Sequence, residues 1–200
     1  LMREHITKVM SHYQGKVYSW DVVNEVVAPE DNQPEGLRKN IWLQNIGSDY
    51  IEKAFIYAKK ADPKAILVYN EILIENDSPE ASAKRKAVLQ LLKKLKAKKV
   101  PIDALGIQGH LWNNDTFREL KPFVDEVGKL GLSIYVTELD VSDTYIQGDL
   151  AKRDAEVAKL YRDFLDSIVD NPALKGIVTW GWSDKYSWMN RGEIPGISRQ

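Results

Sequence analysis

Hydrophobic positions along this chain follow two periods that alternate, one helical and one extended. Apolar residues spaced three or four positions apart predict amphipathic helices, and short runs of β-branched and aromatic residues predict strands. The predicted helices cover 1–13, 48–62, 78–95, part of 120–130, and 149–169. The predicted strands begin near 17, 65, 102, 132 and 176.

Two of these helices carry start signals in the sequence. Ser48 and Ser78 each precede an apolar stripe and are predicted N-caps, and Pro79 suits the first helical position. Residues 28–45, between the first strand and the helix after Ser48, are mostly polar and are interpreted as a loop. Long ordered loops in compact domains are often functional.

Strands that alternate with helices predict an α/β fold with a parallel sheet and right-handed crossovers. Two architectures fit: an open doubly wound sheet, and part of a (β/α)8 TIM barrel. No glycine-rich phosphate loop follows a predicted strand, which disfavours the nucleotide-binding doubly wound type. Five strands cannot close an eight-stranded barrel. No Pro-, Gly- or Ser-rich linker divides the chain, so residues 1–200 are expected to form one domain.

Charge and composition narrow the function classes. The chain has 28 Lys and Arg against 29 Asp and Glu, and this net charge of −1 gives no general reason to bind nucleic acid or an anionic membrane. The Lys-rich run 93–99 fits the solvated face of a helix. No apolar run approaches the ~20 residues of a membrane helix, and the first residues do not resemble a signal peptide. The absence of cysteine excludes disulfides, zinc–thiolate sites and a cysteine nucleophile, and it leaves the compartment undecided.

Polar residues follow the predicted strands in succession. Asn24-Glu25, Asn70-Glu71, Gln108-Gly109-His110 and Glu138-Leu139-Asp140 come after the first four, and Trp180 closes the fifth. Because parallel strands all point the same way, these ends are expected to meet at one face, where such folds carry their active sites. Six Trp and nine Tyr add flat rings that suit sugars as well as protein cores.

Glu25 and Glu138 are the candidate catalytic pair. Two carboxylates across a cleft, one protonated and one ionised, are what glycoside hydrolysis needs. Glu25 lies between apolar residues such as Val23 and Val26, a setting that favours a protonated carboxyl. The alternative is that each Glu simply pairs with a Lys or Arg.

His110 is the one histidine at a predicted strand end, whereas His5 and His12 lie on the first helix. Asp140 and Glu138 offer it two acceptors, so it is a candidate to orient a nucleophile. A Ser-His-Asp hydrolase is disfavoured because the chain has no G-x-S-x-G elbow. A zinc site is disfavoured because there is no H-E-x-x-H. We therefore expect no metal site.

Four segments resemble the signature motifs of glycoside hydrolase family 10, the xylanase family. Trp20-Asp21-Val22-Val23-Asn24-Glu25 and Val136-Thr137-Glu138-Leu139-Asp140 are similar to its fourth- and seventh-strand motifs. The segments 106–111 (GIQGHL) and 179–188 (TWGWSDKYSW) are similar to its sixth- and eighth-strand motifs. The resemblance covers nearly the whole chain, in the family's order and spacing.

The resemblance implies a retaining endo-1,4-β-xylanase that cleaves xylan without a cofactor. Glu25 would be the acid/base and Glu138 the nucleophile, with the two carboxyls about 5–5.5 Å apart. Asn24 would bind the sugar 2-hydroxyl, while His110 and Asp140 would hold the nucleophile. The remaining implied site residues are Gln108 and Asn70, which line the site, and Trp180 and Trp188, which cover the sugar before the scissile bond.

This chain also departs from the family pattern. The family often has an aromatic shortly after the Asn-acid pair of its fifth strand, where it stacks the leaving-side sugar, but in this chain Asn70-Glu71 is followed by Ile72-Leu73. The family's first three strands and last helix have no counterpart, so we expect an incomplete barrel of about five βα units. Such a barrel would have open edges at the strands near Val17 and Gly176, through which it can self-associate. Two alternatives therefore stay open: a non-catalytic xylan-binding module and an inactive remnant. The family resemblance also suggests secretion.

Overall fold

A computed structural model describes residues 1–191, except for the side chains of residues 184, 190 and 191. The helices are α1 (Met2–His12), α2 (Ile41–Ile46), α3 (Tyr50–Ala61), α4 (Pro79–Ala97), α5 (Leu120–Lys129) and α6 (Leu150–Ile168). The strands are β1 (Ser19–Asn24), β2 (Ile66–Glu71), β3 (Ala104–Ile107), β4 (His110–Trp112), β5 (Ser133–Ser142) and β6 (Leu174–Thr179). Short 3-10 turns cover Pro29–Asp31, Pro34–Gly36, Asp184–Tyr186 and Trp188–Arg191.

All strand pairs in the described sheet are parallel, as the alternation of elements predicts. β1 pairs with β2, β2 with β3, β3 with β5, and β5 with β6. β4 pairs with the second half of β5, on the side where β3 pairs with the first half. Main-chain hydrogen bonds from Glu138 to Gln108 and from Asp140 to Gly109 bridge the gap, so β3 and β4 form one interrupted strand. The sheet therefore keeps the five predicted strand positions, although it has six strands.

Two sequence predictions about element bounds were wrong. The strand predicted to begin near 132 and to end before Glu138 extends to Ser142, because its second half gains β4 as a partner. The stretch 28–45 is not one open loop, because it contains two 3-10 turns and the start of α2.

Burial is greatest in the centre of the sheet. Every residue of β3 is buried, as are the last five of β2, which explains why both strands read as nearly continuous apolar runs. Neighbouring helices also pack on each other, α1 against α3 and α5 against α6. Large side chains that are fully buried in the core include Phe55, Tyr69, Leu92, Leu105 and Phe164.

The segment after β1 folds back on itself. Ala28 N–H donates to the Gly36 carbonyl at 2.9 Å, and Arg38 N–H donates to the Val26 carbonyl at 2.7 Å. An antiparallel bridge joins Val27 to Leu37, which is completely buried. This return places Arg38 beside the end of β1.

When β3 and β4 are counted as one interrupted strand, β1 and β6 are the strands with one partner each among the described residues. β1 pairs with β2, and β6 pairs with β5. Tyr18, Ile177 and Val178 are exposed beside or within these strands. Association through these edges stays a prediction. Across residues 1–191 no helix combines the length and apolarity needed to cross a membrane.

One of the two predicted caps is present. The Ser78 hydroxyl accepts a hydrogen bond from Ala81 N–H at 3.1 Å, and Pro79 occupies the first turn of α4. The prediction for Ser48 was wrong, because α3 begins after Asp49 and no side chain caps it.

Replacing Ser78 by Ala is expected to lower the free energy of unfolding by about 1 kcal/mol, since it leaves a helix N–H without its acceptor. Ser48→Ala is the matched control and should change stability by much less. Urea unfolding of both variants measures the difference. Equal losses would show that the hydroxyl of Ser78 does not act as a cap.

Candidate active site

The polar strand ends predicted from the sequence do meet at one edge of the sheet. Asn24 ends β1 and lies beside Asn70 near the end of β2, which in turn lies beside Gly106 on β3. Gln108 follows β3, and Glu138 lies within β5 rather than after it. The parallel register therefore brings together side chains that are far apart in the sequence.

Two amide side chains connect Glu25 to Glu138. The Asn70 amide nitrogen donates to Asn24 Oδ1 at 3.0 Å and to Glu138 Oε1 at 2.8 Å. The Gln108 amide nitrogen donates to Asn24 Oδ1 at 3.3 Å and to Glu25 Oε1 at 3.1 Å. Both carboxylates therefore belong to one polar network that is centred on the Asn24 carbonyl oxygen.

Thr137 and Gly106, which sequence reasoning did not select as site residues, fix the orientation of Asn70. The Thr137 hydroxyl donates to Asn70 Oδ1 at 2.6 Å, which turns the amide nitrogen toward Glu138. A Cβ at Gly106 would lie 2.5 Å from Asn70 Oδ1 and 3.0 Å from Thr137 Cγ2. A glycine inside a strand is a known sign of such close approach. Gly106 was therefore the feature of the sequence from which this contact could have been predicted.

His110 lies between two carboxylates, as predicted. Its Nδ1 is 2.6 Å from Asp140 Oδ1, and its Nε2 is 3.3 Å from Glu138 Oε2. Burial lowers the pKa of the imidazole, but hydrogen bonds and charge from Asp140 and Glu138 outweigh this and raise the pKa to about 9. At neutral pH His110 is therefore an imidazolium that carries a proton on both nitrogens.

The two candidate tryptophans differ in their contacts. Trp188 Nε1 donates to Asp140 Oδ2 at 2.7 Å, and its ring meets the His110 ring edge to face at 4.9 Å between centroids. Trp188 therefore helps to hold Asp140 and His110, and His110 in turn contacts Glu138. Trp180 follows β6 and is 49% exposed, and its main-chain N–H donates to the Leu139 carbonyl at 3.0 Å.

The expected apolar setting of Glu25 was wrong. Its carboxylate accepts from Gln108 and lies 3.5 Å from Arg38 Nη2, with its side chain 32% exposed. The flanking residues Val23 and Val26 are buried in the core and direct their side chains there. Arg38 went unnoticed because it lies within the long polar stretch, where sequence gives no register.

Glu71 follows Asn70 directly, yet it lies outside the network. Its carboxylate is buried, pairs with Lys84 Nζ at 2.8 Å, and accepts from Tyr69 and from Val27 N–H. Burial raises the pKa of Glu71, and the Lys84 charge opposes this rise. Glu71 therefore anchors backbone that follows Glu25.

Glu75 is a second buried carboxylate that sequence reasoning missed. It accepts from Gly109 N–H at 2.9 Å and from Ile74 N–H at 2.7 Å. Burial raises its pKa, while those backbone bonds and the His110 charge lower it. Glu75 thus holds the interruption between β3 and β4, directly before His110.

Because its pKa is higher in the folded protein than the ordinary 6.5, the charged His110 stabilises the fold. A rise from 6.5 to about 9 corresponds to roughly 3 kcal/mol. This stabilisation is fully present below about pH 6.5 and is lost as the pH rises through about 9.

His110→Gln should therefore lower the free energy of unfolding much more at about pH 5.5 than at about pH 10. Urea unfolding of the native protein and the variant across this range measures the difference. His5→Gln, on the exposed face of α1, is the control. A loss that does not change with pH would contradict the charged role of His110.

Comparisons with known proteins identify the family of this chain. Residues 1–196 match the family described as Glycosyl hydrolase family 10. Endo-1,4-beta-xylanase B of Thermotoga neapolitana is 40% identical over 190 residues, which cover 94% of this chain and 52% of that protein.

Two solved structures show the same fold. Xylanase 10B of Thermotoga petrophila RKU-1, in complex with xylobiose, matches with a TM-score of 0.82 at 39% identity. The match covers 94% of this chain and 55% of the xylanase chain. The GH10 structure from Paenibacillus barcinonensis matches with a TM-score of 0.84 at 33% identity, over 97% of this chain and 59% of its own.

The chain thus spans about half the length of these relatives. The predicted fold class, a parallel (β/α)8 barrel represented in part, is confirmed. With a family match over nearly all of its residues, this chain belongs to glycosyl hydrolase family 10.

Proposed function

We propose that this chain supplies the catalytic residues of a retaining endo-1,4-β-xylanase, which hydrolyses internal β-1,4 bonds of xylan. The observation that carries the proposal is the network in which Asn70 and Gln108 connect Glu25 to Glu138 while His110 contacts Glu138. Xylan and xylo-oligosaccharides are the proposed ligands, and the reaction needs no cofactor.

The reaction has two displacements. In the first, a Glu138 oxygen attacks the anomeric carbon, the glycosidic bond breaks, and Glu25 gives its proton to the leaving oxygen. In the second, Glu25 takes a proton from water, and the hydroxide oxygen attacks the same carbon. The bond to Glu138 then breaks, which releases a sugar with its original configuration.

The contacts of the two carboxylates support this division of roles. Glu138 is held at both oxygens, by Asn70 at Oε1 and by His110 at Oε2. A nucleophile aligned in this way needs little reorganisation when it attacks. Glu25 is about twice as exposed, with 32% of its side chain accessible against 15% for Glu138, which suits a group that exchanges protons with water.

Asn24 is placed to bind the sugar under attack. Its Oδ1 accepts from both Asn70 and Gln108, which turns its amide nitrogen away from the network. We propose that this nitrogen donates to the sugar 2-hydroxyl, a bond that strengthens in the transition state. Trp180 and Trp188 would supply the flat surfaces that cover the same sugar.

Azide can distinguish the two carboxylates. Compared with the unsubstituted protein, the Glu138→Ala variant should not cleave xylan. Azide should restore its turnover of an activated aryl β-xylobioside and give a glycosyl azide of inverted configuration. Glu25→Ala should slow xylan cleavage by about 10²- to 10⁴-fold, and azide should then give a product of retained configuration. NMR of the glycosyl azides measures the outcome.

Glu30→Ala is the matched control, because Glu30 is an exposed carboxylate in the segment that follows Glu25. It should leave turnover unchanged. Reversed azide products would exchange the two roles. Binding of xylo-oligosaccharides without any cleavage by the native protein would overturn the proposed activity in favour of a binding module.

A further inference from the structure

Glu25 has a main-chain conformation that is unusual for its residue type. Its φ of 51° lies in the left-handed region, which residues other than glycine occupy only when surrounding contacts hold them there. The strand side supplies one such contact, from Glu25 N–H to the Asn70 carbonyl at 2.9 Å. The main-chain carbonyl and the side chain of Glu25 need further contacts to hold this conformation.

Arg38 supplies both. Its Nε donates to the Glu25 main-chain carbonyl at 2.6 Å, and its Nη2 lies 3.5 Å from Glu25 Oε2. One guanidinium therefore holds the backbone and the carboxylate of the same residue. The planar fork of arginine suits this double contact, whereas a lysine ammonium is a single point charge on a flexible stem.

Arg38 is itself held in place. Its main-chain N–H donates to the Val26 carbonyl at 2.7 Å, and the preceding Leu37 is completely buried in the core. From the opposite side, the buried Glu71 accepts from Val27 N–H at 3.2 Å. The segment 25–27 is therefore fixed between a core carboxylate and a returning loop.

We propose that Arg38 is a positioning residue for the general acid, an inference that rests on the acid/base role proposed for Glu25. Arg38 acts through Glu25: it keeps the carboxyl facing the polar network in which Gln108 and Asn70 lead to Glu138. Proton transfer to a leaving oxygen requires hydrogen-bond distance, and misplacement by about 1 Å can cost 10²-fold in rate.

The test uses two substrates that differ in their need for an acid. Phenyl β-xylobioside needs a proton on its leaving oxygen, whereas 2,4-dinitrophenyl β-xylobioside does not. Relative to the unsubstituted protein, the Arg38→Met variant should have a kcat/KM for the phenyl substrate that is about 10- to 100-fold lower. Its kcat/KM for the dinitrophenyl substrate should fall by no more than about twofold.

Arg38→Lys keeps the charge but not the fork, so it should show the same split between substrates. It also serves as the second variant if Arg38→Met does not fold, which thermal melting detects. Arg118→Met is the matched control: Arg118 is an exposed arginine, with 84% of its side chain accessible, near Asp77. It should leave both substrates unaffected.

The outcomes separate the inference from the proposed function. Glu25→Ala provides the reference, since an acid/base residue must show the substrate split. If Glu25→Ala shows the split and the Arg38 variants lower both substrates equally, the positioning role is wrong and the proposed function stands. If Glu25→Ala shows no split, the acid/base assignment fails, and the role of Arg38 fails with it.

Discussion

The orientation of a single amide, that of Asn70, is the constraint on which the polar network depends. Its nitrogen reaches both Asn24 and Glu138, and its oxygen accepts from the Thr137 hydroxyl. A rotated amide would present oxygen to two acceptor oxygens and nitrogen to a donor. The absence of a side chain at Gly106 leaves the space in which the correct orientation fits.

Sequence periodicity was sufficient to predict a parallel sheet and the edge of that sheet at which the candidate site lies. Buried strands read as continuous apolar runs, and parallel strands deliver their ends to one edge, so the convergence of Asn24, Asn70 and Glu138 could be predicted. What failed locally depended on partners that periodicity does not contain. The extension of β5 requires pairing with β4, and α3 begins after Asp49 without a cap from the Ser48 hydroxyl.

The surroundings of the carboxylates could not be predicted for a related reason. Neighbours in sequence suggested an apolar setting for Glu25, but Val23 and Val26 direct their side chains into the core. The actual neighbours are Gln108 and Arg38, and the latter arrives through a loop whose return is set by main-chain hydrogen bonds. Sequence spacing identifies residues that share an element, but it does not reveal contacts made across a loop.

The hydrogen bonds of the network join residues that are distant in sequence, with consequences for folding kinetics. Asn70 and Glu138 are separated by 68 positions, and Gln108 and Glu25 by 83. Contacts of this range form only after several parallel strands have paired, and such topologies fold slowly. A partly folded chain, even one with most of its helices, therefore lacks this network. A ligand that bound the network would select the fully assembled sheet and would stabilise it against partial opening.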